Sequence, residues 1–174
     1  MYTTAYSNPN SLINRDTAAI GAATKTLDIA AYCMDDADIV AAIRAAAARG
    51  VIVRIYHDRT ELEAQAKGDV TLTGKPLAVL MNVPGITIKV KHSSILMHLK
   101  SYLVDGVWLR TGSANFSPEG EIQQDNDFTI TDDPPACAEF LAKFVTMWNR
   151  VDNLTVPQAV QRPAGYVPAH YQHR

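Results

Sequence analysis

Residues 97–115 read MHLKSYLVDGVWLRTGSAN, and the spacing inside this stretch decides how the chain is read. SYLVD, 101–105, has the look of a buried strand, Asp105-Gly106 that of a tight turn, and VWLRT, 107–111, that of the strand returning from it. Side chains two apart on a strand share a face, so His98 and Lys100 point the same way. The hairpin then carries Ser113 and Asn115, also two apart, back toward them. A nucleophile or base, a fixed cation and two small hydrogen-bond donors thus converge on one pocket, a set suited to a phosphodiester. Lys100 can neutralise a non-bridging phosphate oxygen, and Ser113 and Asn115 can donate where charge develops in the transition state. His98 can attack phosphorus or move a proton, because its ordinary pKa lies near neutrality.

Outward from this stretch, strands and helices alternate. Upstream, residues 11–25 can form a helix and 27–32 (LDIAAY) a buried strand. Residues 37–49 form a clearer helix, with Ile39, Val40, Ile43 and Ala47 on one face and Gly50 as its stop. VIVRIY, starting at Val51, is a second buried strand, so the two strands are expected to be parallel neighbours across a right-handed crossover. Residues 58–74, polar and glycine-containing, suggest a mobile surface loop. Pro76–Met81 starts another helix and Ile86–Val90 another strand. After the motif, Asp127–Thr131 is a short strand. Pro134-Pro135 opens a final helix, on which Phe140, Leu141, Phe144, Val145 and Trp148 form a packing stripe. One domain over residues 1–150 is expected, followed by a Pro-containing tail, 151–174, draped on the surface or disordered, with His170 and His173 solvated.

Composition sets the outer bounds. The chain has 174 residues, 47% hydrophobic and 20% charged, enough for one domain with a true core. The formal net charge of -2 argues against a generally basic nucleic-acid binder. The charge is uneven, however. From Val51 to Asn115, eight Lys or Arg face five Asp or Glu, giving +3; from Phe116 to Arg174, four face eight, giving -4. The basic part holds the motif, as an anionic substrate requires, although a solvated face explains the imbalance as well. Cys33 and Cys137 sit in apolar contexts without metal-ligand spacing and read as buried free thiols. The N-terminal MYTTAYSNPN has no basic stretch followed by an apolar run, so no signal peptide is expected within this chain, and no run approaches a membrane span.

The pattern HxKx4Dx6GSxN resembles the signature of the phospholipase D superfamily, and a short chain with one copy resembles its bacterial Nuc-type endonucleases. The likeness extends over roughly residues 2–150, with AAIRAAAARGVIVRIYHD as its next most recognisable part. It implies an α/β fold, an α-β-α sandwich with a mixed, mostly parallel central sheet flanked by helices. It also implies hydrolysis of phosphodiesters without metal or other cofactor. The superfamily reaction uses two motifs, one histidine attacking phosphorus and the other protonating the leaving oxygen. One chain supplies half, so the resemblance implies a homodimer with one active site at its two-fold interface. Lys100, Ser113 and Asn115 would bind the phosphate. Members carry a Glu-Asn pair about ten residues beyond the motif asparagine, orienting the histidine. Here QQDND stands in its place, so Asp125 takes the role one methylene shorter; Asp127 is a second candidate. Asp105 and Gly112 belong to the signature, and Asp105, in a turn, is expected to accept backbone hydrogen bonds.

The scissile phosphodiester remains open at this level. A single motif in a minimal chain favours a nuclease acting on DNA or RNA. A phospholipase D-type lipid phosphodiesterase and a non-catalytic nucleic-acid-binding module are the alternatives. His57 and Arg59 are candidates for substrate binding, with Arg54, Lys67, Lys75, Lys89, Lys91 and His92 lining a backbone groove and Tyr56 or Trp108 offering a stacking surface. No basic amphipathic helix suggests stable membrane insertion. Relatives of this type are often exported, so a periplasmic or secreted location is implied if a signal peptide has been removed, and a cytoplasmic one otherwise.

Overall fold

The computed structural model describes residues 1–161. Seven strands form one sheet: β1 (Tyr2–Tyr6), β2 (Thr26–Ala31), β3 (Ile52–His57), β4 (Ile86–Val90), β5 (Lys100–Val104), β6 (Trp108–Gly112) and β7 (Asp127–Thr131), in the order β1-β7-β6-β5-β2-β3-β4. The sheet is mixed, but not mostly parallel as expected. Only β2–β3 and β3–β4 are parallel; the other four pairs are antiparallel. For β5 and β6 the reason is connectivity: the three-residue connection 105–107 can join only antiparallel strands, and it is built on the Asp105-Gly106 turn. Both of its residues have positive φ, 54° and 74°, the conformation a type I′ turn needs.

Alternation along the strands divides the core between two faces. Leu27, Ile29, Val53, Ile55, Tyr102 and Val104 meet α1 (Ile13–Gly21) and α2 (Ala37–Ala48) on one face. Ala30, Tyr56, Leu103 and Leu109 meet Cys137, Phe140, Phe144 and Met147 of α4 (Pro134–Trp148) on the other. Asp36 caps α2 by accepting from the amides of Asp38 and Ile39, and Asp133 caps α4 through the Ala136 amide. Cys33 and Cys137 are buried free thiols. No helix among the described residues is long and apolar enough to cross a membrane.

Four elements differ from the sequence-based expectation. The stretch expected to be a mobile loop contains α3 (Arg59–Ala66), capped by Asp58 and holding Leu62 and Ala66 in the core. Its apolar residues are too few to stand out as a periodic face in the sequence. The helix expected at Pro76 is a single 3-10 turn, Pro76–Leu80. The expected tail begins with structure: Leu154 pairs with Val90, and α5 (Val156–Val160) buries Val156, Ala159 and Val160 in the main core, its start fixed by a capping box between Thr155 and Gln158. His170 and His173 lie outside the described residues. β1 carried no sequence signal, because it is an edge strand whose residues alternate only between exposed and half-buried.

Candidate active site

The C-terminal ends of β1, β2, β3 and β6 meet the N-terminal ends of β5 and β7 along one rim of the sheet, and this rim gathers the motif. Lys100 opens β5 opposite Ala31, the last residue of β2. It is only 6% exposed. Its Nζ lies 4.6 Å from the centre of the Tyr32 ring and donates to the His98 carbonyl oxygen at 3.0 Å. Burial pushes its ammonium pKa down to about 8. The same Tyr32 ring packs against the His98 imidazole, with centres 4.6 Å apart and planes tilted by 57°. Tyr32 therefore supports both groups from below, a role that its place after the apolar run of β2 did not betray. His98 itself is exposed. Burial of its inner side, and then the neighbouring Lys100 charge, hold its pKa below the ordinary value, which favours the neutral form that a nucleophile requires.

The second arm of the motif begins at Gly112, whose φ is 144°. A Cβ there would collide with the Asp127 carbonyl, so only glycine lets β6 approach β7 this closely. Ser113 follows and is bound to Asp127 through both its amide and its hydroxyl. The Asn115 side chain brings an oxygen, Oδ1, that is buried and has no partner among the described residues. Gly120, in a π-helical turn over Glu119–Gln123, packs against the Asn115 backbone where any side chain would clash. Nothing in its local sequence context singles it out.

Arg110 ties the two arms together from beneath. Its Nη1 donates to the carbonyl oxygens of Lys100 at 2.7 Å and Ala114 at 3.0 Å, the latter one residue before Asn115. The guanidinium is completely buried between Asp16 and Glu121, with Nη2 3.0 Å and 3.3 Å from their carboxylates, and lies over the Phe116 and Phe128 rings. Burial, and the nearby Asp16, push Glu121 well above the usual carboxylate range. One fixed cation thus faces two buried acids, of which Glu121 is pushed toward its protonated form.

Other candidate residues fall outside this rim constellation or are already engaged. Asp125 is exposed beside it and accepts from Asn8 Nδ2 at 3.2 Å; no hydrogen bond joins it to His98 within the chain. It lines a cleft of about 350 Å³ with Tyr6, Asn8, Ser113 and Asp127. Asp105 sits at the opposite end of the hairpin, where it accepts from the amides of Thr24, Lys25 and Thr26. Burial opposes the shift, yet these donors hold its carboxyl down to about 2. His57, expected to touch substrate, is fully buried at the end of β3, with Nδ1 2.8 Å from the Asp58 carbonyl oxygen. Arg59 is tied to Glu63 at 2.7 Å and to the His92 carbonyl at 2.8 Å. Two further cations of the expected groove are engaged elsewhere: Arg54 is paired with Asp28 and lies over Phe144 and Trp148, and Lys89 donates to the Trp148 carbonyl. Tyr56 is buried and Trp108 packs against the core. Among the described residues no three His, Cys, Asp or Glu side chains cluster as a metal site would need.

Comparison with known proteins agrees with this geometry. A family model described as "Cardiolipin synthase, PLD-like domain" matches residues 17–148. Curated relatives include a mitochondrial cardiolipin hydrolase of Chlamydomonas reinhardtii, 26% identical over 83% of this chain, and one of Danio rerio, 28% identical over 75%. The chain spans 60% and 54% of the lengths of these two relatives. Among solved structures, the phospholipase D family member NUC from Salmonella typhimurium superposes with a TM-score of 0.74 at 26% identity, covering 89% of this chain and 97% of that one. NucT from Helicobacter pylori shares the fold, with a TM-score of 0.72 at 18% identity, covering 89% and 99%.

Proposed function

Because the chain belongs to the phospholipase D-like domain family and is similar to cardiolipin hydrolases and to the phospholipase D family member NUC, we propose that it is a metal-independent endonuclease acting on DNA or RNA through a phosphohistidine at a site shared by two protomers. The observation that carries this reading is the pairing of an exposed His98, held toward its neutral form, with a buried Lys100 on one aromatic ring. An imidazole nitrogen of His98 attacks phosphorus, and the P–O bond to the leaving group breaks. His98 of the second protomer protonates the leaving oxygen, then takes a proton from the water that releases phosphate from the first. Lys100 and the Asn115 amide neutralise the phosphate oxygens, with Ser113 assisting. Asp125 orients a histidine across the interface, a placement that accounts for the lack of a bond to His98 within its own chain.

A lipid phosphodiesterase is the second reading. It is favoured by Ile95 and Leu96, 76% and 40% exposed in the segment that leads to His98, and by the cardiolipin hydrolases among the relatives. One experiment ranks the two. Plasmid DNA, single-stranded DNA, RNA and vesicles of phosphatidylcholine or cardiolipin are incubated in excess EDTA with wild type and His98→Ala. Faster cleavage of nucleic acid, lost in the variant, supports the nuclease; faster release of lipid head group supports the second reading. Full activity of His98→Ala on every substrate would overturn both. For the shared site, mixing wild type with His98→Ala under subunit exchange should lower activity as the square of the wild-type fraction. A linear decline contradicts it.

A further inference from the structure

Asp58 is completely buried and its carboxylate faces two elements at once. Oδ1 accepts from the Glu61 amide at 3.0 Å and caps α3. Oδ2 accepts from the Met97 amide at 2.6 Å, one residue before His98. A helix cap needs only the first of these bonds, and Ser, Thr or Asn supplies it as well. The second reaches a segment, residues 91–99, that forms no regular element. Within that segment Lys91 holds the carbonyls of Ile95 and Leu96, and Arg59 holds that of His92. These contacts shape the segment; the Asp58–Met97 bond fastens it on the N-terminal side of the nucleophile, as the Tyr32 amide, donating to the Leu99 carbonyl at 2.9 Å, fastens it on the other, and Met97 itself is buried against the α4 side of the core.

We infer that Asp58 is a positioning residue for the reaction: its second carboxylate oxygen fixes the His98 imidazole on the rim through the Met97 amide. The inference rests on His98 being the nucleophile. Misplacement of a reacting group by about 1 Å can cost on the order of 100-fold in rate, so a short charge-assisted bond one residue away is an effective anchor. The carboxylate also lies close enough to favour the charged forms of His98 and Lys100, opposing the burial that depresses both. The groups acting on His98 are then Lys100 from β5, the Tyr32 ring after β2, and Asp58 between β3 and α3.

Asp58→Asn tests this, because Asn keeps its oxygen for the α3 cap and turns an NH2 group toward the Met97 amide, removing the tether and the charge together. Asp58→Ser keeps the cap but is too short to reach Met97, and serves if the first variant folds poorly. In either variant the Met97 amide should exchange with solvent at least about tenfold faster, since its opening no longer breaks a hydrogen bond. The His98 pKa, followed by NMR titration of its imidazole, should fall by about half a unit as the nearby negative charge is lost. With bis(p-nitrophenyl) phosphate, kcat should fall about tenfold or more while KM stays within about threefold, since the backbone at Lys100 and at Ala114, next to Asn115, is held by Arg110. Unchanged Met97 exchange and His98 titration, with kcat within about twofold, would overturn the inference. If wild type cleaves no phosphodiester the functional reading fails, whereas exchange and titration still decide whether Asp58 holds His98.

Discussion

Ser113 and Asp127 hold each other by two reciprocal hydrogen bonds: the Ser113 amide donates to Asp127 Oδ1 at 2.9 Å, and the Asp127 amide donates to Ser113 Oγ at 3.0 Å. The end of β6 and the start of β7 are thereby locked side by side at the rim. The Ser113 hydroxyl and amide hold the Asp127 carboxyl below the usual carboxylate range. A depressed folded-state pKa contributes stability that is present above the unfolded value and lost as pH falls through the folded one. Asp127→Asn should therefore flatten the loss of stability below about pH 4, read from urea melts across the acid range. An acid limb unchanged in the variant would contradict the coupling.

Gly112 tests how closely those strands must approach. Ala at this position forces a Cβ onto the Asp127 carbonyl and places a side chain at a φ that L residues rarely adopt. Gly112→Ala should lose about 2 to 4 kcal/mol of stability, from overpacking and backbone strain together. Denaturant unfolding measures it directly.

The pH dependence of the reaction follows from the two shifted bases. His98 is pulled below its ordinary value by burial and then by Lys100, so the acid limb of kcat/KM should lie below about pH 6.5. Lys100, pushed down to about 8 by burial, should set the basic limb. Lys100→Met should abolish that limb along with nearly all activity. It should also melt no lower than wild type at pH 7: a buried lysine with a depressed pKa is a destabilising charge there, relieved only as pH rises above about 8. A rate profile flat through both regions would show that neither group titrates in the free enzyme.

Arg110 should matter to stability far more than an exposed cation. Arg110→Met leaves Asp16 and Glu121 buried without their partner and the carbonyls of Lys100 and Ala114 without their donor. Breaking a buried ion pair in this way costs about 3 to 5 kcal/mol. Combining it with Asp16→Leu and Glu121→Leu should recover much of that loss, because no uncompensated charge then remains. Thermal melts of the single and triple variants compare the two.

Much of this protein is local and therefore legible in one dimension. The hairpin from Lys100 to Gly112 follows from an Asp-Gly turn between strand-forming runs, and α2 follows from its apolar spacing between Asp36 and Gly50. Asp105 proved to be the acceptor of backbone amides that its turn position implied. What the sequence could not supply is whatever depends on partners distant in the chain. Tyr32 under His98, Arg110 between Asp16 and Glu121, and Asp58 on Met97 are contacts across 66, 94, 11 and 39 positions. His57 and Arg59 show the reverse: their residue types suit a phosphate, but only packing decides whether a side chain faces solvent or the core. Residue chemistry and spacing determined the reaction class, whereas long-range packing decided which polar groups remain free to perform it, because burial and pairing are properties of the folded chain alone.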